Sequence, residues 1–302
     1  MEFLALNTPT RINKRAGSTV LSGEDPHMNR NEIRNTLDEE SVRLSKALGQ
    51  NLLHDQNVLH RIAKAAELQP DDHALEIGPG LGGLTEHLLQ AVNELTAIEK
   101  DKRLAAHLRD RFKDQKNFRL IHHDALKYFE SNEVDWSDWK VVSNLPYNVA
   151  SPLLVDLASM PKGPKRLVVT VQWEVGQRLK AQPSTREYGK LTLLVGCRYK
   201  VKDIFKISPR CFFPEPRVES ACLTLDRRTK PLFEDALYKP FTTLVKRAFS
   251  QRRKMMRKNL KGGWSEEQLD AAMAAVNLDP KIRAEKVSME QFVTLTKALH
   301  NE

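Results

Sequence analysis

A doubly wound α/β fold is predicted for most of this chain, and three observations predict it. Short apolar runs recur at 73–77 (HALEI), 94–98 (ELTAI), 118–122 (FRLIH), 140–143 (KVVS) and 166–171 (RLVVTV). Stretches with helical spacing separate them, over 84–92, 103–112 and 151–160. The first run ends directly in a turn holding Gly78, Gly80, Gly82 and Gly83. Apolar runs this short, alternating with helices, are strands buried on both faces of a parallel sheet. The glycine turn marks a place where backbone approaches a ligand.

The rhythm changes after Gly189. LTLLVGCRYKVKDIFKI and ESACLTLD read as two strands joined by a proline-rich loop, forming an antiparallel edge. Beyond 227 only helical patterns persist. ALYKPFTTLVKRAFSQRRKMMRKNL reads as one helical segment. SEEQLDAAMAAV and SMEQFVTLTKALH each open on a Ser with Gln three positions later, the capping-box signature. The first forty residues are polar and without sustained period, and Met28 is a candidate start. A helix over 30–44 is the one element predicted there. The expected organisation is a disordered extension over 1–40, a Rossmann-like sheet domain over 41–227 and a small all-helical domain over 228–302.

Composition narrows the class. Apolar residues make up 40% and charged residues 29% of the 302, as in a soluble globular protein. No apolar run is long enough to span a bilayer, so no membrane role is expected. The net charge of +9 points to a polyanionic partner. Cys197, Cys211 and Cys222 are odd in number and lack metal-site spacing, so reduced thiols, a cytoplasmic location and no metal are expected.

The acids at the strand ends shape the candidate ligand. Glu76 stands just before Gly78, where a carboxylate repels phosphate and attracts a cation. A dinucleotide would need phosphate there. S-adenosylmethionine, which has an ammonium, a sulfonium and no phosphate, fits better. Glu99 ends the second strand, nineteen positions after Gly80, and suits two ribose hydroxyls. Asp124 follows the third strand and suits an adenine amino group, although a helix N-cap is an equally good reading of it alone.

SNLPYNVASPLL, 143–154, raises a separate question, because Asn144-Leu145-Pro146-Tyr147 is an unusual way to leave a buried strand. An exocyclic amine is a poor nucleophile, since its lone pair is delocalised into the base. The Asn144 side-chain oxygen and the Leu145 carbonyl can accept its two N–H bonds and offset charge developing on nitrogen. Pro146 holds the preceding residue extended. Tyr147 offers a ring face for a base.

Together these motifs resemble the ribosomal RNA adenine N6-dimethyltransferases, and within them the kasugamycin-sensitivity branch. That branch modifies two adjacent adenosines near the 3′ end of small-subunit rRNA. The resemblance runs from about 44 to 260. It takes in LGQNLLHD, LEIGPGLGGLT, AIEKD, HDAL, SNLPYNVASPLL, VQWEVGQRL, REYGKLTLL, FFPEPRVESA and FSQRRKMMRKNL. It implies an S-adenosylmethionine-dependent methyltransferase sheet. Gln50, Asn51 and Leu52 would close over the cofactor. Glu76, Gly78 and Gly80 would face its methionine end, Glu99 its ribose and Asp124 its adenine, with Asn144 adjoining both cofactor and target. Catalysis would fall to Asn144, Leu145, Pro146, Tyr147 and Phe212, whose ring would stack on the flipped adenine. Composition alone makes Phe212 a core residue. Leu53, Trp173, Phe213 and Glu215 depart from the family's usual residues.

Lys246, Arg247, Arg252, Arg253, Lys254, Arg257, Lys258 and Lys261 crowd a stretch that holds no acid. Such a run favours phosphate contact, with Phe249, Met255, Met256 and Leu260 as its buried side. The RNA-binding candidates are Arg252, Arg253, Lys254, Arg257 and Lys258. The implied partner is small-subunit rRNA in a pre-ribosomal particle, bound by a monomer. The competing readings are a ribosome-assembly factor with incidental methylation and a large-subunit methyltransferase of the macrolide-resistance type. A nicotinamide enzyme would leave Glu76 and Asn144 without a role.

Overall fold

The computed structural model describes residues 30–39 and 49–300. Residues 1–29, including Met28, and the 40–44 end of the predicted first helix lie outside the described residues. The described residues open with α1 (Arg30–Glu39), β1 (Leu52–Leu53), α2 (Gln56–Ala65), β2 (His73–Ile77), α3 (Gly83–Leu89), β3 (Glu94–Glu99) and α4 (Lys102–Arg111). It continues through β4 (Phe118–His122), α5 (Ala125–Ser131), β5 (Trp139–Asn144), α6 (Ala150–Ser159), β6 (Arg166–Gln172) and α7 (Trp173–Lys180). Then come α8 (Lys190–Gly196), β7 (Tyr199–Ile207), β8 (Phe212–Phe213) and β9 (Ser220–Arg227). The helices α9 (Tyr238–Ala248), α10 (Met256–Leu260), α11 (Glu266–Ala275) and α12 (Met289–His300) follow.

The main sheet has seven strands in the order β4-β3-β2-β5-β6-β9-β7. Its first five strands are parallel, while β9 runs antiparallel to both β6 and β7. The five predicted parallel strands lie where their apolar runs placed them. Residues alternate between the two faces. Leu167, Val169 and Val171 of β6 join one core with α6, and Val168 joins another with α2 and α3. Strand order reverses between β2 and β5, which opens a crevice at the carboxyl ends of these strands.

Two expectations need correction. LTLLVG is not strand: it forms the helix α8, and only Tyr199–Ile207 is extended. Thr192, Leu193, Leu194 and Val195 are all buried there, so helix and strand periods could not be told apart in the sequence. The long helical segment is also two helices. α9 stops at Ala248, and a turn through 249–255 precedes α10. Both predicted capping boxes are present. Ser265 and Gln268 exchange bonds of 3.2 and 3.0 Å. Ser288 and Gln291 do likewise at 3.2 and 2.9 Å.

The C-terminal helices pack against the α8 region. Phe241, Leu244, Met256, Leu260, Leu269 and Phe292 share a core with Leu193, Leu194 and Cys197 of the α8 region. Tyr188 Oη donates to the Val287 carbonyl at 2.8 Å, and Arg198 pairs with Asp235. No described helix is long and apolar enough to cross a membrane.

Candidate active site

The crevice is built around the glycine turn. Gly78, Gly80 and Gly82 have φ of 69°, 64° and 89°, which a side chain disfavours. A Cβ at Gly80 would also stand 2.7 Å from Leu52 Cδ2. Arg111 steadies the turn by donating to the Leu81 carbonyl and pairing with Glu86 at 2.5 Å.

Two carboxylates are buried beside this turn. Glu76 is 1% exposed and accepts from Thr85 Oγ1 at 2.7 Å. Burial pushes its carboxyl up to about 8, with the nearby Glu99 charge adding to the rise. Glu99 is 5% exposed and accepts from the backbone N–H of Asp101 at 2.8 Å and of Gly80 at 3.4 Å. Burial raises it to about 7. Burial thus favours the protonated, neutral form of both carboxyls in the ligand-free pocket, and a bound cation would favour their ionised form. Asp124 differs. It caps α5 through the Leu126 N–H at 3.0 Å and pairs with Lys100 at 2.7 Å, and this cation holds its carboxyl low.

The loop after β5 closes the other side. Asn144 donates through Nδ2 to the Asn51 carbonyl at 2.9 Å, while its buried Oδ1 has no partner among the described residues. Leu145 is buried, and its N–H donates to the Thr170 carbonyl at 3.2 Å. Ser143 Oγ donates to the Ile77 carbonyl at 2.5 Å, tying β5 to the glycine turn. Tyr147 Oη lies 2.5 Å from Ser220 Oγ. Burial raises the phenol, so it stays neutral.

The structure brings Gln50, Asn51, Leu52, Glu76, Gly78, Gly80, Glu99, Asp124 and Asn144 to Tyr147 into one pocket wall. β1 carries the Gln50–Leu52 segment there by pairing antiparallel with β8, Leu52 opposite Phe213. Phe212 is not at the pocket. It is 0% exposed and packs with Leu53, Leu59 and Ile62 in the core. The alternation of β8 explains this, since Phe212 and Phe213 point to opposite faces, and Phe213 packs near Leu52 and Leu81. Composition therefore placed Phe212 better than the motif did. His122 and His123, which precede Asp124, are both exposed.

Sequence reasoning missed several contributors. Thr85, Lys100 and Ser220 contact site residues that lie 9, 24 and 73 positions away. Ile33 of α1 also lines the pocket. Of these only Thr85 had a local signal, as a hydroxyl one turn into the helix that follows the glycines.

A ribosomal RNA adenine dimethylase profile matches residues 42–301. The chain belongs to the ribosomal RNA adenine dimethylase family. A ribosomal RNA small subunit methyltransferase A from Clostridium acetobutylicum is 39% identical over 88% of this chain and 98% of its own. One from Geobacter metallireducens is 39% identical over 86% and 97%. The 23S rRNA methyltransferase ErmE superposes with a TM-score of 0.62 at 27% identity, covering 82% of this chain and 99% of that one. A Plasmodium falciparum dimethyladenosine transferase shares the fold, with a TM-score of 0.65 at 23% identity over 81% and 95%.

The basic stretch of this dimethylase-family member is less uniform than its sequence. Arg252, Arg253 and Lys254 are exposed on the turn between α9 and α10, and Lys258 is exposed on α10. Arg257 is instead paired with Asp270 at 2.6 Å and Glu266 at 3.0 Å, and Lys261 with Glu266 at 2.5 Å. Acids absent from the run in sequence are thus brought to it by α11, which takes Arg257 out of the candidate phosphate contacts. Met256 and Leu260 form the buried side, and Met255 and Phe249 are half-buried.

Proposed function

We propose that this dimethylase transfers methyl groups to the exocyclic N6 of two adjacent adenosines near the 3′ end of small-subunit rRNA, dimethylating each. The observation that carries the proposal is the Asn144 Oδ1, buried at the pocket and without a partner among the described residues. The pocket fits S-adenosylmethionine. Glu76 suits its ammonium, Glu99 its ribose hydroxyls, and the glycine cradle leaves no room for a side chain between Gly80 and Leu52. When bound, this cofactor supplies an electrophilic methyl group carried on a sulfonium.

The protein's own part is orientation and charge. Asn144 Nδ2 is held by Asn51, so Oδ1 is the atom left to accept an N–H from the target amine. The Leu145 carbonyl accepts the second N–H. These two bonds turn the lone pair out of conjugation and offset the positive charge growing on N6. Tyr147 stacks on the base. The proton leaves after transfer, so no strong base is needed. Asp124 serves the adenine ring of the cofactor, sharing its carboxylate with Lys100.

Arg252, Arg253, Lys254 and Lys258 form the phosphate contacts on a helical unit over 228–302. The partner is an immature small-subunit particle, bound by a monomer in the cytoplasm, where an unstacked adenosine is cheapest to extract. The test is methyl transfer from labelled S-adenosylmethionine to small-subunit precursors lacking the modification, with the label mapped. Label on two adjacent adenosines near the 3′ end is expected. Tight particle binding without transfer would favour an assembly role, and label on large-subunit RNA the resistance-type activity.

A further inference from the structure

Ser220 opens β9, opposite Gln172 of β6, and is 0% exposed. A hydroxyl buried that deeply needs a hydrogen-bond partner. Its partner is Tyr147 Oη at 2.5 Å, reached across 73 residues of chain. Strand packing alone would be served by alanine at 220, and ring packing alone by phenylalanine at 147. The bond compensates the buried Ser220 hydroxyl with the phenol of the half-buried Tyr147.

The loop carrying Tyr147 is tied at its other points by bonds within the sheet and turn. Asn144 is held by Asn51, Leu145 by Thr170, and the Val149 N–H donates to the Pro146 carbonyl at 3.1 Å. These bonds place the backbone. The phenol bond acts on the far tip of the ring, where it restricts the remaining side-chain rotation.

We propose that Ser220 is a positioning residue for methyl transfer. Its hydroxyl pins the Tyr147 phenol, so that the ring stands as a fixed wall beside the Asn144 and Leu145 acceptors before the base arrives. The inference rests on the reading that Asn144 to Tyr147 hold the target adenine. A ring already fixed loses less freedom when a base stacks on it, and a small misplacement of that wall displaces the amine from its acceptors.

The test compares Ser220→Ala, Tyr147→Phe and the double variant in the full chain. The readouts are single-turnover methyl transfer to unmodified small-subunit precursors, S-adenosylmethionine affinity, and the fluorescence of target RNA carrying 2-aminopurine at the modified position. Each single variant should slow transfer about three- to tenfold, the rate equivalent of one hydrogen bond. Cofactor affinity should hold, the 2-aminopurine signal should fall, and the double variant should be no slower than either single. Full activity in Tyr147→Phe, or losses that multiply in the double variant, would overturn the inference. Tyr147→Phe leaves β9 intact, so it decides the matter even if Ser220→Ala folds poorly. Asn144→Ala and Tyr147→Ala separate the two levels. If both transfer at the parent rate, the reading of the loop fails. If both are slow while Ser220→Ala and Tyr147→Phe are not, only the positioning role fails.

Discussion

Truncating Asn144 removes a buried acceptor that has no partner among the described residues. Asn144→Ala should lower the transfer rate on the order of a hundredfold, as loss of a transition-state hydrogen bond does, with S-adenosylmethionine still bound. Parent-like turnover would mean that another group orients the amine. Glu76 yields a pH prediction with a definite sign. Its folded carboxyl sits near 8 against an ordinary 4.5, so the folded state keeps a proton that the unfolded chain has released. Stability of the ligand-free protein should therefore fall as pH rises from about 4.5 to about 8. Cofactor affinity should rise over the upper part of that window, by at most about tenfold per pH unit, because the ammonium requires the ionised form. Glu76→Gln should flatten both trends and weaken cofactor binding; melting and titration series across pH check this. Phe212, fully buried, should behave as a core residue. Phe212→Ala should cost about 3–5 kcal/mol in chemical denaturation.

At the scale of elements, the sequence was most legible where a run had one clear period. The five parallel strands, the glycine turn, and the caps of α11 and α12 were readable because each depends on residues within a few positions of one another. α8 was not, since a short helix buried on several sides has the same apolar run as a strand. The turn at 249–255 was hidden for a different reason: Ser, Gln, Arg and Lys neither break a helix nor demand one. This turn carries the salt prediction. Reversing Arg252 and Arg253 should flatten the salt dependence of RNA binding by about 0.7 in log–log slope per lost phosphate contact. Reversing Arg257 should instead loosen α10 from α11, because its charge already faces Asp270 and Glu266. Equal slope changes from both would return Arg257 to the RNA surface.

Across the whole molecule, the α8 region and the C-terminal helices share one core. Leu193, Leu194 and Cys197 lose their cover if the chain stops after Arg227. A chain ending there should melt at lower temperature than the full protein and bind a hydrophobic dye. A truncated form as stable as the parent would show that the helices fold as an independent unit. The same interlocking places the site at the strand-order reversal between β2 and β5, with β1 and β8 pairing across it. By itself, the sequence determined the parallel sheet, the glycine turn, the three strand-end acids and the Asn-Leu-Pro-Tyr loop, because local period and residue chemistry encode each of them. Only the tertiary structure decided between the two readings of Phe212, brought acids of α11 to Arg257, and brought Ser220 to Tyr147. Those outcomes depend on which distant segments pack together, and packing partners far apart in the chain leave no local pattern to read.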